Sequence, residues 1–285
     1  MSRILVGSDL NFDVHGPTTF LFQIAASQTQ QQTIVQEQFT IEPYTQYAEC
    51  QVGPEGNRLH RITAGVGQLS IQYRATVDLH QQFSPASQLP ECDYANLPAE
   101  VLPYLNPSRY CESDLLVRFA AEEFGTMERG FSRVQAVCDW VHDHLDYTPG
   151  STGPTTTAAD VLLQRTGVCR DYSHLAISLC RGLGIPARYV SGYAVNLQPP
   201  DFHGFFEAFL DGRWYLFDAT RLAPIGGLVR IGTGRDAADV ALSTRTGNAV
   251  MTSMHVWANE AQQNDSQQHD PSIHPDINQT AVSTA

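Results

Sequence analysis

The stretch "TGVCRDYSHLAISLCRGLGIPAR", from Thr166 to Arg188, has the pattern of a buried helix that begins at a cysteine. Apolar side chains recur at positions i, i+3, i+4, i+7, i+8 and i+11, namely Tyr172, Leu175, Ala176, Leu179, Cys180 and Leu183. Gly182 and Pro186 predict where this helix ends. Cys180 lies on the apolar stripe and is predicted to belong to the core, whereas Cys169 lies in the first turn and off the stripe.

The position of Cys169 makes it a candidate nucleophile. Unpaired backbone N–H groups and the helix dipole stabilise a thiolate at a helix start, and the same N–H groups can hold an oxyanion. The alternative is an idle cysteine, because many helices begin with one. None of the six cysteines forms a C-x-x-C pair, which disfavours a structural zinc site. In a reducing cytosol all six are expected to be free thiols.

A hairpin further along the chain offers a base and a group to orient it. The segment "HGFFEAFLDGRWYLFDAT" contains two β-rich runs around Asp-Gly, which is a strong signal for a two-residue turn. Pairing Leu210 with Arg213 makes His203 and Asp218 diagonal neighbours on one face. The aspartate could then hold one imidazole nitrogen and leave the other for a thiol. Two alternatives stay open: a His–Asp pair that only stabilises the hairpin, and a bulged turn that shifts the register.

These motifs resemble the transglutaminase-like superfamily, which are cysteine enzymes with a papain-like core. The resemblance covers roughly Phe131 to Val240 and rests on "GVCRDYSHLAISLCRGLGIPARYVSGY", "DFHGFFEAFLDGRWYLFDAT" and "IGTGRDAADV". It implies that Cys169 is the nucleophile, His203 the base and Asp218 its orienter. It also implies that the reaction requires no metal and no organic cofactor.

Two departures from the family pattern lie beside the proposed catalytic groups. The family histidine is usually followed by Ala-Trp, but His203 is followed by Gly-Phe. The family aspartate is usually followed by Pro-Thr, but Asp218 is followed by Ala-Thr. Both changes bear on substrate choice, since neither removes a catalytic group. Tyr147 is a further candidate that could line the cleft or donate to the oxyanion, and His174, off the apolar stripe, is expected to be partly exposed.

The rest of the chain predicts an α+β protein with a papain-like or transglutaminase-like core behind an antiparallel β-sandwich-like domain. In "LSIQYRATVDL", apolar and polar residues alternate as in a half-buried strand, and similar runs fill the first eighty residues. We predict a β-rich domain over 1–80, a Pro-rich linker over 81–110 and the catalytic core over 111–259. Residues 260–285 are polar and aperiodic, so a loose tail is expected there.

Composition narrows the choice of partners. The formal net charge is −13, from 17 Lys and Arg against 30 Asp and Glu, which argues against nucleic acid as a partner. No apolar run approaches the length of a membrane span, and the start lacks the apolar core of a signal peptide. A cytoplasmic location without a membrane partner is therefore predicted. The sequence does not predict the oligomeric state.

The function predicted from these residues is thiol-based acyl transfer on a peptide or protein amide, most simply hydrolysis by a peptidase or amidase. Hydrolysis is favoured because water resolves an acyl-enzyme unless a site excludes it and binds an amine. The alternatives are amine-dependent cross-linking, a non-catalytic binding module with a vestigial triad, and a metal site built from the same three residues.

Overall fold

The computed structural model describes residues 1–261 and 272–284. These residues form sixteen strands and four α-helices, and none of the helices is long and apolar enough to cross a membrane. In chain order they are β1 (Ser2–Val14), β2 (Thr18–Phe22), β3 (Gln32–Glu42), β4 (Tyr47–Val52), β5 (Asn57–Ala64), β6 (Gly67–Leu79), β7 (Gln82–Pro85), α1 (Ser113–Phe124), α2 (Phe131–His144), β8 (Asp146–Tyr147), α3 (Ala158–Gln164), β9 (Thr166–Gly167), α4 (Cys169–Gly182), β10 (Ala187–Ala194), β11 (Phe202–Leu210), β12 (Arg213–Phe217), β13 (Leu228–Gly234), β14 (Ser243–Thr246), β15 (Ala249–Glu260) and β16 (Thr280–Ser283).

The N-terminal domain consists of two four-stranded antiparallel sheets around one apolar core. The strand orders are β15-β1-β6-β3 and β14-β2-β5-β4. The predicted alternation in β6 is confirmed, because Leu69, Ile71, Tyr73 and Val77 are all buried. The core of this domain also includes Tyr193 of β10 and Phe202 of β11, so it continues into the sheet that carries the candidate site.

The domain boundaries predicted from the sequence differ from the strand pairing. The predicted core over 111–259 includes β14 and nearly all of β15, but β14 pairs with β2 and β15 pairs with β1, from Ile4↔Glu260 to Val14↔Ala249. The N-terminal sheets are therefore completed by strands from near the other end of the chain. Sequence alone could not show this, because β15 has six consecutive exposed residues and no alternation.

The core has α4 at its centre, packed on the antiparallel sheet β12-β11-β10-β13. The other three α-helices also contact α4, which buries nearly all of its residues. The expected partial exposure of His174 is therefore wrong: this side chain is buried, accepts a hydrogen bond from the Ala237 N–H at 3.1 Å and stacks on Tyr110. Because α4 is enclosed on all sides, residues off its apolar stripe are buried as well.

The prediction of a loose C-terminal tail is wrong for residues 272–284. Strand β16 pairs with β7, and Ile273, Ala281 and Val282 are buried. A strand of four residues is too short to produce a recognisable period in the sequence. The prediction for 262–271 and for residue 285 lies outside the described residues.

A buried carboxylate ties the catalytic sheet together. Glu207 of β11 is fully buried and accepts a hydrogen bond from the Arg188 guanidinium at 2.7 Å and another from Arg230. Burial raises the pKa of Glu207, but the two guanidinium charges outweigh it and hold that pKa well below its usual range. Arg188 also contacts Glu55 at 3.1 Å, in the turn between β4 and β5. The cluster therefore links the two domains.

We predict that Glu207→Gln lowers the free energy of unfolding by about 3 kcal/mol or more, because it leaves buried guanidinium groups without a counter-charge. Urea unfolding followed by circular dichroism measures this. Glu55→Gln is the matched control, since the Glu55 side chain is 26% exposed, and it should cost about 1 kcal/mol or less. Equal stability of the two variants would contradict this account. Because the folded-state pKa of Glu207 is depressed, its contribution should be full at neutral pH and decline as acid protonates the carboxylate.

Candidate active site

The start of α4 positions Cys169 at a partly exposed helix end. The Asp171 side chain accepts a hydrogen bond from the Val168 N–H at 2.9 Å, which fixes the first turn. Asp171 is buried and also accepts from Thr152 at 2.5 Å and from Arg170 at 2.8 Å. Arg170 in turn donates to the Gly153 carbonyl. The Cys-Arg-Asp motif thus clamps the loop after β8 against the helix start and leaves Cys169 partly exposed.

The hairpin predicted from the sequence forms with the expected register. Leu210 pairs with Arg213 and Glu207 with Leu216. Asp211 and Gly212 both have positive φ, 45° and 75°, as a two-residue turn of this type requires. His203 Nε2 lies 3.0 Å from the Asp218 carboxylate, and both side chains are buried. The structure therefore brings the two groups together as predicted.

Thr220 completes the aspartate site, although the sequence patterns above assign it no role. Its backbone N–H and its hydroxyl both donate to Asp218 Oδ1, at 2.9 and 2.7 Å. The remaining oxygen, Oδ2, is therefore directed at His203. The signal in the sequence is the spacing Asp-x-Thr, because a carboxylate readily accepts from the backbone two residues on. Phe205 packs its ring edge-on against the His203 imidazole, with centroids 4.5 Å apart.

The charges in this site favour an imidazolium. Burial lowers the pKa of His203, but the Asp218 charge, its hydrogen bond and the Cys169 side chain raise it to about 10. Burial likewise raises the pKa of Asp218, while the His203 charge and the hydrogen bonds from His203 and Thr220 bring it below its ordinary value. The pair is thus charged at neutral pH.

The two imidazole nitrogens of His203 have different surroundings. Nε2 is occupied by Asp218, whereas Nδ1 is buried and has no formed hydrogen bond among the described residues. The Cys169 side chain interacts with the same imidazole and contributes to its raised pKa. Nδ1 is therefore the nitrogen left for the thiol. Cys169 and His203 come from α4 and β11, and Asp218 directly follows β12, so the structure brings all three predicted residues together.

Tyr147 lies beside the nucleophile, as the sequence suggested. The residue is 38% exposed and its ring lies 5.8 Å from that of Tyr172. Burial and the Cys169 side chain raise the pKa of Tyr147, and a hydrogen bond from the Cys169 backbone N–H opposes them. The phenol therefore stays protonated and can donate near the helix N-terminus.

In residues 1–261 and 272–284 no group of three or more His, Cys, Asp or Glu side chains is arranged to hold a metal ion.

Two family models match this chain. The model described as "Transglutaminase-like superfamily" matches residues 118–219, and "Bacterial transglutaminase, N-terminal domain" matches residues 2–98. A crystal structure from Cytophaga hutchinsonii, provisionally described as a cysteine protease, is 40% identical, with a TM-score of 0.93. The similarity covers all of this chain and 98% of that one.

Similarity to curated sequences covers less of each chain. An uncharacterized protein from Mycobacterium leprae is 34% identical over 146 residues, which are 48% of this chain and 52% of that protein. An uncharacterized protein from Mycobacterium tuberculosis is 34% identical over 96 residues, 34% of this chain and 30% of that protein. The chain thus spans about half or less of the length of these relatives.

We predict that mild iodoacetamide treatment of the native protein labels Cys169 well ahead of Cys180. Cys169 is partly exposed and its side chain interacts with the His203 imidazole, which is the arrangement of an activated cysteine. Cys180 is inaccessible, and burial raises the pKa of its thiol. Peptide mapping by mass spectrometry measures both rates, and His203→Ala should slow labelling of Cys169 at pH 6 without affecting the partly exposed Cys50. Equal labelling of Cys169 and Cys180 would mean that helix and hairpin do not form an activated pair.

Proposed function

Because this chain belongs to the transglutaminase-like superfamily, we propose that it is a cysteine-dependent enzyme that cleaves amide or peptide bonds by acyl transfer. The observation that carries the proposal is the arrangement around His203. Its Nε2 is held by Asp218, and its buried Nδ1 is left for Cys169 at the start of α4. A nucleophile, a base and an orienter are thereby combined. The provisional protease description of the full-length relative points the same way.

The reaction proceeds in two steps. Cys169 attacks the amide carbonyl, and its proton is held on His203 Nδ1. In the tetrahedral intermediate the oxyanion replaces the Tyr147 oxygen as the acceptor of the Cys169 N–H, and the Tyr147 hydroxyl donates to it from beside the helix start. His203 then gives the proton to the leaving nitrogen, the C–N bond breaks and a thioester remains. In the second step His203 Nδ1 takes a proton from water, which attacks the thioester. The C–S bond breaks, a carboxylic acid is released, and Cys169 leaves as a thiolate beside the His203 imidazolium, which restores the starting pair.

Hydrolysis is proposed over amine transfer because water is the default acceptor of a thioester. Amine transfer would also require a site that binds the amine and excludes water from the thioester. A peptide or protein amide is the proposed substrate class. The cytoplasmic location stays a prediction from the sequence.

The function is tested with peptide and protein amide libraries, comparing the wild-type protein with Cys169→Ala. We expect release of a free carboxylate, loss of turnover in the variant and a trapped acyl adduct on Cys169. A labelled primary amine in a second arm distinguishes the alternatives. Incorporation of this amine would identify a cross-linking enzyme. Absence of both turnover and adduct would identify a binding module.

Asp218→Asn should lower kcat by about 10³- to 10⁴-fold while the protein stays folded, because an amide can favour the wrong imidazole tautomer, as it does in the triad of serine proteases. The alkaline limb of the pH profile should also move to lower pH. The Asp218 charge is the first of the effects that raise the pKa of His203, so without it the imidazolium is lost at lower pH. The measurement is kcat/KM against pH.

Two observations control the Asp218→Asn prediction. The thermal midpoint of the variant should remain close to the wild-type value, which excludes unfolding as the cause. Thr220→Val is a milder test of the same site, since it removes only the hydroxyl that donates to Asp218. Normal turnover by Asp218→Asn would show that the aspartate only stabilises the hairpin.

A further inference from the structure

Gly204, which directly follows His203, is in contact with a buried tyrosine. A Cβ atom on Gly204 would lie 2.5 Å from the Tyr189 hydroxyl oxygen and 3.1 Å from two atoms of the Tyr189 ring. A carbon and an oxygen atom that are not bonded cannot lie 2.5 Å apart, so one of them would have to move. The departure from the family's Ala at this position therefore has a steric cause in this chain.

Tyr189 lies between the cysteine helix and the histidine strand. It is 6% exposed, and its ring centroid is 5.2 Å from that of His174 on α4. In the sheet its strand, β10, pairs Ser191 with Gly204 and Gly192 with His203. The tyrosine has two side-chain torsions and is enclosed by α4 on one side and β11 on the other. It therefore has little freedom to move away from a new methyl group.

A direct hydrogen bond joins the helix and the strand at the same place. The Ser173 hydroxyl donates to the Gly204 carbonyl at 3.0 Å. Ser173 is one helical turn after Cys169, and Gly204 is one residue after His203. The contact that sets the approach of α4 to β11 is thus one turn from the nucleophile and adjacent to the base.

We propose that Gly204 and Tyr189 are positioning residues that set the distance between Cys169 and His203. Tyr189 acts as a rigid spacer between α4 and β11, and the missing side chain of Gly204 allows the strand to approach it closely enough for Ser173 to bond. A methyl group at 204 displaces β11 from α4 and separates the imidazole from the thiol. This inference rests on the proposed function, because it concerns the same two catalytic groups.

The test compares Gly204→Ala, Tyr189→Phe and the double variant. Gly204→Ala should reduce kcat by about 10- to 100-fold with little change in KM, since a misplacement of about 1 Å can cost about 10²-fold. At pH 6 its rate of Cys169 alkylation by iodoacetamide should fall toward that of His203→Ala. Tyr189→Phe keeps the ring that separates α4 from β11, so its alkylation rate should fall less than that of Gly204→Ala. The double variant should regain part of the rate, because the 2.5 Å contact is removed while the two 3.1 Å ring contacts remain.

The matched control is Gly232→Ala. This glycine lies in β13 of the same sheet, and its added Cβ would lie 3.0 Å from Val240, so it strains the fold away from the cysteine. It should lower the thermal midpoint without changing alkylation of Cys169. If Gly204→Ala does not fold, Ser173→Ala replaces it, and should reduce kcat by removing the link without adding volume.

The outcomes separate the two proposals. If His203→Ala does not slow alkylation of Cys169 relative to the wild-type protein, the proposed function is refuted, and this inference with it. The spacing alone is refuted if the wild-type rate depends on His203 but is unchanged in a folded Gly204→Ala variant. The same holds for its replacement, Ser173→Ala. The spacing is also refuted if the double variant is alkylated as slowly as Gly204→Ala, since the tyrosine hydroxyl would then not be the obstacle.

Discussion

The register of one hairpin determines the chemistry that this fold can support. A two-residue turn at Asp211 and Gly212 joins β11 to β12, and both residues have positive φ, so the pairing cannot slip without a different turn. A slip of one residue would turn every side chain of β12 to the opposite face. Asp218 would then no longer contact His203. The hydrogen bonds from Thr220 would still fix the Asp218 carboxylate, but this carboxylate would no longer orient the imidazole.

The same strand that carries the base also anchors the fold. Four residues after His203, Glu207 is buried between two guanidinium groups, one of which contacts the N-terminal domain through Glu55. The apolar core of that domain continues under the sheet through Tyr193 and Phe202. The N-terminal domain therefore supports the strands that hold the site, and the position of the imidazole depends on packing far from the nucleophile.

The features that the sequence predicts correctly are those that depend on local patterns. The stripe and breakers of α4 and the Asp-Gly turn act over a few residues, so the helix, the hairpin register and the His203–Asp218 contact could be derived. The pairing of β1 with β15 joins residues about 250 positions apart, and no local period encodes it. The burial of His174 and the contact of Tyr189 with Gly204 likewise depend on how α4 is enclosed, which only the tertiary structure shows.

The pairing of β1 with β15 also has a consequence for folding during synthesis. The ribosome makes the chain from the N-terminus, so β1 is released long before its neighbour at residues 249–260 exists. Until then β1 can pair only with β6, and one side of this thirteen-residue strand stays open. Contacts of such long range slow folding and leave an unpaired strand edge that can pair with other chains. During synthesis the first strand of the protein therefore has an open edge that the rest of its own chain cannot yet cover.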